Sequence, residues 1–241
     1  MVRRTEQRDP KASFDVLAER YGLGAGAMAQ LRELHRLLVE DPLAPTAVRD
    51  PAKVIDDHLA DSLVALEVDV VRGARDIADL GSGAGLPGLA LAIALPDAGV
   101  ALVESAVRKC AFLERAVARC AATNVRVVHA RAESWPEGLA AFDVVTARAV
   151  APFDVVVEYA APLLRVGGTL VAWRGRRDPV AESNAALAAR ELGLAAAGIL
   201  PVKPYPAAES RNLHLMSKVT ETPRGFPRRP GVALKRPLGA R

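Results

Sequence analysis

Apolar positions along this chain follow helical spacing first, then strand spacing interleaved with helices. Residues 15–21 and 28–39 carry apolar side chains three and four apart, with Leu31, Leu34, Leu37 and Leu38 on one face. Pro42, Pro45 and Pro51 then punctuate the chain. Asp50 followed by Pro51 has the form of an N-cap with proline at the first helical position, opening a helix that holds Val54, Ile55, His58, Leu59 and Leu63. From Arg75 short apolar runs alternate with helical patterns. Strands are predicted at 76–80, 100–104, 125–129, 143–147 and 169–173, with helices between them from the glycine run to Leu95 and over 109–121 and 153–164. A further helix at 179–192 and strand-like segments at 198–202 and 213–219 follow. This alternation with short links predicts an α/β fold, a doubly wound, mostly parallel sheet covered on both faces. Three parts result: an N-terminal helical extension (1–70), the α/β domain (71–219) and a Pro/Gly-rich tail (220–241). The tail has no periodicity and reads as extended.

The densest local signal lies between the first strand and its helix: Asp79-Leu80-Gly81-Ser82-Gly83-Ala84-Gly85-Leu86-Pro87-Gly88. Glycines at such a turn let the backbone bend tightly and approach a ligand closely, and Pro87 suits a first helical turn. Two readings fit. Gly83-x-Gly85-x-x-Gly88 matches the dinucleotide pattern, with Glu104 roughly 20 residues on as a ribose-binding acid. Starting two residues earlier, Asp79 and Gly81 open the Asp-x-Gly-x-Gly-x-Gly pattern seen in S-adenosyl-L-methionine (SAM) sites. An acid at Asp79 suits the cationic methionine end of SAM and opposes a pyrophosphate. Both readings give Glu104 the ribose hydroxyls. Asp79, Gly81, Gly83, Gly85 and Glu104 are therefore candidate cofactor-binding residues. No second catalytic domain and no hydride-transfer His/Asp pair accompany the loop, which favours SAM.

Composition narrows the chemistry. The longest apolar run, 86–95, is interrupted by Pro87 and falls far short of the ~20 residues of a membrane span. The charged N-terminus lacks an apolar signal region, and two cysteines make no disulfide framework, so a cytoplasmic setting is expected. The four histidines are scattered without metal-ligand spacing, so no metal is expected. With 4% aromatic residues the chain has no multi-base stacking platform, and Trp135 and Trp173 are read as core. The net charge of +4 divides unevenly: residues 218–241 hold seven Lys/Arg and one acid, and the remaining residues sum to −2. That distribution suggests an arm contacting phosphates, whose removal after Ser217 would weaken affinity for a phosphate-bearing partner and spare SAM binding.

The string at 79–88, together with Leu102-Val103-Glu104-Ser105 and Lys109…Phe112-Leu113, resembles the RsmG (GidB) family. These are bacterial methyltransferases that modify guanine N7 in 16S ribosomal RNA using SAM. The resemblance extends to Val48-Arg49-Asp50-Pro51, His58-Leu59-Ala60-Asp61-Ser62-Leu63, Arg131-Ala132-Glu133, Phe142-Asp143, Thr146-Ala147-Arg148-Ala149, Arg211-Asn212-Leu213 and Phe226-Pro-Arg-Arg-Pro-Gly231. It implies a class I methyltransferase fold and SAM contacts at Gly81, Leu86, Ala132, Glu133 and Arg148. It implies as partner 16S ribosomal RNA or the small ribosomal subunit, with no membrane. Candidate RNA-contacting residues are His58, Arg174, Arg211, Arg228 and Arg229. Arg174-Gly175 stands where the family has Lys-Gly, and Asn212 where it has His; Pro42 and Pro45 displace a usual polar motif.

Guanine N7 is an unprotonated lone pair on the major-groove edge, so its methylation by direct in-line transfer needs positioning rather than a general base. No catalytic acid, base or nucleophile is assigned, and Arg148 is a contact to substrate or cofactor. A cytosine-C5 enzyme would need a thiolate, whereas Cys110 and Cys120 share one Ala-rich helical segment and are read as core. A methyltransferase for a small molecule or protein, and a non-catalytic nucleotide-binding module, are the other readings of the same residues.

Overall fold

The alternation of strand and helix is realised as one seven-stranded sheet in a computed structural model that describes residues 10–240. Arg241 of the basic tail and the charged N-terminus before Pro10 lie outside the described residues. Two helices come first, α1 (Pro10–Tyr21) and α2 (Ala25–Glu40), and α2 buries Met28, Leu31, Leu34, Leu37 and Leu38. The Asp50 side chain accepts a hydrogen bond from the Lys53 N–H, capping α3 (Pro51–Lys53) as its residue type and the following proline require. The helical run then changes pitch. It widens to π turns over Val54–Ala60, returns to α as α4 (Asp61–Leu63) and tightens to 3₁₀ over Val64–Glu67. Such π stretches are frequent at functional sites, and this one contains Asp57 and His58.

After α5 (Asp69–Arg72) the α/β units follow: β1 (Asp76–Leu80), α6 (Gly88–Ala94), β2 (Gly99–Glu104), α7 (Val107–Arg119), β3 (Val125–His129), β4 (Phe142–Arg148), α8 (Phe153–Ala160), β5 (Leu164–Arg174) and α9 (Pro179–Glu191). The chain ends with β6 (Leu194–Val202), β7 (Arg211–Lys218) and α10 (Val232–Lys235). The sheet order is β3-β2-β1-β4-β5-β7-β6. Strands β1 to β5 are parallel, and β7 runs antiparallel between β5 and β6. The order reverses between β1 and β4, so the C-terminal ends of those strands open the ligand crevice of a doubly wound sheet.

Strand alternation sends residues to two cores. Ile77, Val100, Leu102, Val144 and Val171 face α2, α6, α7 and the helical run at 51–67. Ala78, Leu80, Ala101, Val103, Val145, Ala147, Leu170 and Ala172 face α8 and α9. The helices of residues 10–67 thus share their core with the sheet.

Several boundaries differ from the sequence pattern, among them β6, which begins at Leu194 rather than 198, and three departures have a visible cause. The helix predicted to reach 164 stops at Ala160, because Pro162 cannot continue it, and Leu164 already begins β5. Gly168 lies inside β5 rather than at its start: a Cβ there would come within 2.9 Å of the Phe142 and Asp143 carbonyls, where the β4 register shifts. The tail, expected to be extended, is docked. Ala233 and Leu238 are buried against the α8–α9 side, and Arg228 pairs with Glu158 of α8, which is 2% exposed. An extended reading failed because one buried carboxylate and a few apolar side chains anchor the segment without any periodicity. Among the described residues no helix is long and apolar enough to cross a membrane.

Candidate active site

The β1–α6 turn is built from its glycines. Gly81, Gly83 and Gly85 have φ of +63°, +54° and +85°, backbone that L side chains rarely adopt. Gly88 answers to a different constraint: a Cβ there would lie 2.5 Å from the Leu102 side chain and 2.6 Å from the Asp79 Cβ, so glycine lets α6 lie directly on β1 and β2. Pro87 sits one position before the helix begins, at the N-cap rather than in the first turn.

The Asp79 carboxylate is wholly buried. Its Oδ2 accepts the Gly88 N–H at 3.2 Å and its Oδ1 accepts the Thr146 hydroxyl at 2.8 Å. Desolvation pushes its pKa up to about 6, against the lowering effect of those hydrogen bonds. The expectation that Asp79 meets a cofactor directly is thereby corrected: strand alternation turns it inward, where it ties the glycine turn and β4 to β1. Glu104, at the end of β2, accepts the Gly83 N–H at 3.1 Å through Oε2 and the Ala106 N–H at 2.9 Å through Oε1. Each oxygen keeps a lone pair for a further donor such as a ribose hydroxyl.

Beside these residues lies a slot of about 180 Å³ lined by Leu80, Gly81, Val103, Ser105, Ala132 and Glu133, by Val150, Ala151 and Tyr159, and by Leu234 from the tail. Its apolar residues and the neighbouring Glu104 carboxylate suit an adenosyl group, and the Val150 side chain packs so closely on Gly81 that a Cβ there would fall 3.0 Å from it. Glu133 is already engaged, accepting the Gly231 N–H at 3.1 Å and interacting with Tyr159. Gly83 and Gly85 form the turn and Leu86 follows it, and none of the three lines this slot.

A second cleft of about 600 Å³ opens across the β4–α8 loop. Arg148 and Ala149 line it, whereas Val150 and Ala151 line the slot. Its walls bring together His58, Arg174 and Arg211 with Asp57, Asp61, Trp173, Arg176 and Asn212. Arg148 donates to Asp61 Oδ2 at 2.8 Å, and Arg211 Nε stands 3.3 Å from Oδ1 of the same carboxylate, an ion pair without hydrogen-bond alignment. Tyr205 donates to Asp57 at 2.5 Å, and Trp173 Nε1 donates to the Asp61 carbonyl at 2.7 Å. Asp61 thus joins the N-terminal helices to the ends of β4, β5 and β7. Arg174 lies over the Phe153 ring, 5.3 Å from its centre, and Asn212 donates to the Gly175 carbonyl at 2.7 Å. His58 bonds Thr46 at 2.8 Å. Burial, helped by Arg148, lowers its pKa, so it is neutral at pH 7.

The structure therefore gathers His58, Arg148, Arg174 and Arg211 at one cleft and Gly81, Ala132 and Glu133 at the adjoining slot. It places Arg228 elsewhere, in its ion pair with Glu158, and leaves Arg229 exposed. The expectation that Arg228 is free to contact RNA is corrected by that pairing. Sequence reasoning did not single out Asp57, Tyr159, Thr146, Tyr205 or Leu234 as site residues. Only Thr146 carried a signal, inside the Thr-Ala-Arg-Ala segment.

A sheet of this order, with β7 reversed between β5 and β6 and the slot beside the first glycine turn, is the plan of the class I SAM-dependent methyltransferases. Solved structures of that class share it. A predicted O-methyltransferase from Agrobacterium tumefaciens is 27% identical, with 68% of this chain and 81% of that one covered at a TM-score of 0.51. The 16S rRNA (adenine(1408)-N(1))-methyltransferase from Catenulisporales acidiphilia is similar in fold, with 20% identity over 64% of this chain and 90% of that one and a TM-score of 0.51. The chain belongs to the GidB family, rRNA small subunit methyltransferase G, whose family model matches residues 28–193. A relative named ribosomal RNA small subunit methyltransferase G from Chloroflexus aggregans is 43% identical over 86% of this chain and 88% of its own length. A relative of the same name from Pelotomaculum thermopropionicum is 35% identical over 93% of this chain and the whole of its own length.

Proposed function

We propose that this protein uses SAM to methylate N7 of a guanine in 16S ribosomal RNA. The observation that carries the reading is the adjacency of two cavities across one loop: the apolar slot at Gly81 and the arginine-lined cleft at Arg148. Bound SAM would supply an electrophilic methyl group. The slot residues would hold its adenosyl end, with Glu104 accepting ribose hydroxyls and the Ala132 segment bordering the base. Arg148, Arg174, Arg176 and Arg211 suit the O6 acceptor of guanine and the flanking phosphates, which leaves the N7 lone pair free to face the methyl carbon. Asp61 holds two of those guanidinium groups, which fixes their direction before the substrate arrives.

N7 carries no proton, so the residues need only hold its lone pair in line with the methyl carbon. Such positioning supplies up to about 7–11 kcal/mol of a barrier. The cleft fits that demand: its neutral His58 is committed to Thr46, and burial raises the pKa of both thiols in the α7 region, Cys120 to about 12. Neither cysteine is a thiolate at neutral pH.

The test is transfer of tritium from labelled SAM into small ribosomal subunits or their RNA. Nucleoside mass spectrometry of ribosomal RNA from a deletion strain should accompany it. Label in 7-methylguanosine, and its loss in the strain, is expected. Transfer to a small molecule or protein with none to RNA would refute the substrate, and label in another nucleoside would refute the N7 assignment.

A further inference from the structure

The docked tail reaches the cofactor slot. Glu158 lies on α8 with 2% of its surface exposed, and the Arg228 guanidinium meets it through two parallel hydrogen bonds, one of them Nε to Oε1 at 2.5 Å. A carboxylate buried that deeply is strongly disfavoured without a partner, and the paired fork geometry restricts where Arg228 can sit. From this anchor the chain turns through Gly231, whose N–H donates to Glu133 Oε1 at 3.1 Å. Glu133 itself follows β3 and lines the slot. Ala233 and Leu238 are buried beneath the segment, and Gly239 is pressed so closely to Asn184 that a Cβ would fall 2.2 Å from its carbonyl. Between these fixed points Leu234 lines the slot, with 53% of its surface uncovered.

We infer that residues 226–240 form a fixed wall of the cofactor slot, with Leu234 covering its nucleoside end and the Arg228–Glu158 pair holding the wall in place. Arg228 and Glu158 are then positioning residues, and Leu234 is a direct contact to the flat face of a purine. The inference rests on the slot being the SAM site. It reverses the expectation that removing the tail spares SAM binding, because the segment belongs to the cofactor side of the molecule. Phosphate contact is left to Arg224, Arg229, Lys235 and Arg236, which are exposed.

Calorimetric titration of the full chain with SAM, S-adenosylhomocysteine and 5′-methylthioadenosine tests this, with steady-state KM values for SAM and for RNA measured alongside. Leu234→Ala should weaken all three ligands by a similar factor of five or more, because the lost contact lies at the shared nucleoside end. It should leave the melting temperature and the KM for RNA unchanged, since Leu234 is half exposed. Arg228→Gln should weaken the same ligands at least as much, and Arg228→Lys should recover part of the loss. Unchanged ligand affinities in Leu234→Ala and Arg228→Gln would overturn the inference. A raised KM for RNA with unaltered SAM affinity would overturn it in favour of an RNA-binding arm. Failure of the unaltered protein to bind SAM would instead refute the cofactor reading, and this wall with it.

Discussion

Asp79→Asn isolates the electrostatic tension beneath the glycine turn. The carboxylate is fully buried, and desolvation raises its pKa to about 6 from an ordinary 3.8. At about 1.4 kcal/mol per unit, the ionised native form carries a penalty of roughly 3 kcal/mol. The folded value lies above the unfolded one, so on acidification the native state takes up the proton first. The penalty is present in full above pH 6 and is relieved as pH falls through the folded pKa toward the unfolded one. Between about pH 8 and pH 4.5 the native state should gain roughly 2 kcal/mol from this group relative to the unfolded chain. Asparagine cannot titrate, although its amide oxygen still accepts one of the two hydrogen bonds. Urea unfolding followed by circular dichroism, with wild type and variant measured at each pH, gives the difference directly. The wild type should improve against Asp79→Asn by about 2 kcal/mol at the acidic end. A difference constant to within about 0.5 kcal/mol would show that Asp79 titrates as an ordinary carboxylate, and the desolvation argument would fail.

Other perturbations probe the rest of the site. Gly88→Ala forces a methyl group against Leu102 and Asp79, and should cost about 1–3 kcal/mol of stability in thermal or urea unfolding. Asp61→Ala leaves Arg148 and Arg211 without their shared carboxylate. Breaking a fully buried pair costs about 3–5 kcal/mol, and the expected loss is smaller because the Arg211 side chain is 36% exposed. Methyl transfer to RNA should fall in the same variant while calorimetry still finds SAM bound. Cys110→Ala and Cys120→Ala should each keep kcat within about twofold, as neither thiol ionises at neutral pH; a loss of about 10³-fold or more would point to covalent chemistry.

Much of this architecture can be read from the chain because its causes are local. The β/α alternation follows from side-chain periodicity of two and of 3.6. The glycine turn is legible because three of its residues need left-handed backbone, and Glu104 because a fixed chain length carries it to the end of the neighbouring strand. Leu31, Leu34, Leu37 and Leu38 name their own buried face by spacing alone. Even Asp50-Pro51 declares a helix start, since the cap reaches only three residues ahead.

What the chain does not declare depends on partners far apart in sequence. Asp61 matters because it meets Arg148 and Arg211, 87 and 150 positions further on, and only the folded sheet brings the ends of β4 and β7 to one helix. The inward turn of Asp79 follows from which face of β1 carries α6, so a residue read as a ligand contact becomes a buried support. Glu158, set in the apolar run Phe153 to Ala160, signals that a buried charge needs a cation without saying which one. Sequence composition made the tail a carrier of positive charge, and tertiary structure turned Arg228 inward and Leu234 over the slot. Periodicity and backbone preference act within a few residues and survive in any reading of the chain. Burial and charge pairing exist only once the packed fold has decided which groups lose their water.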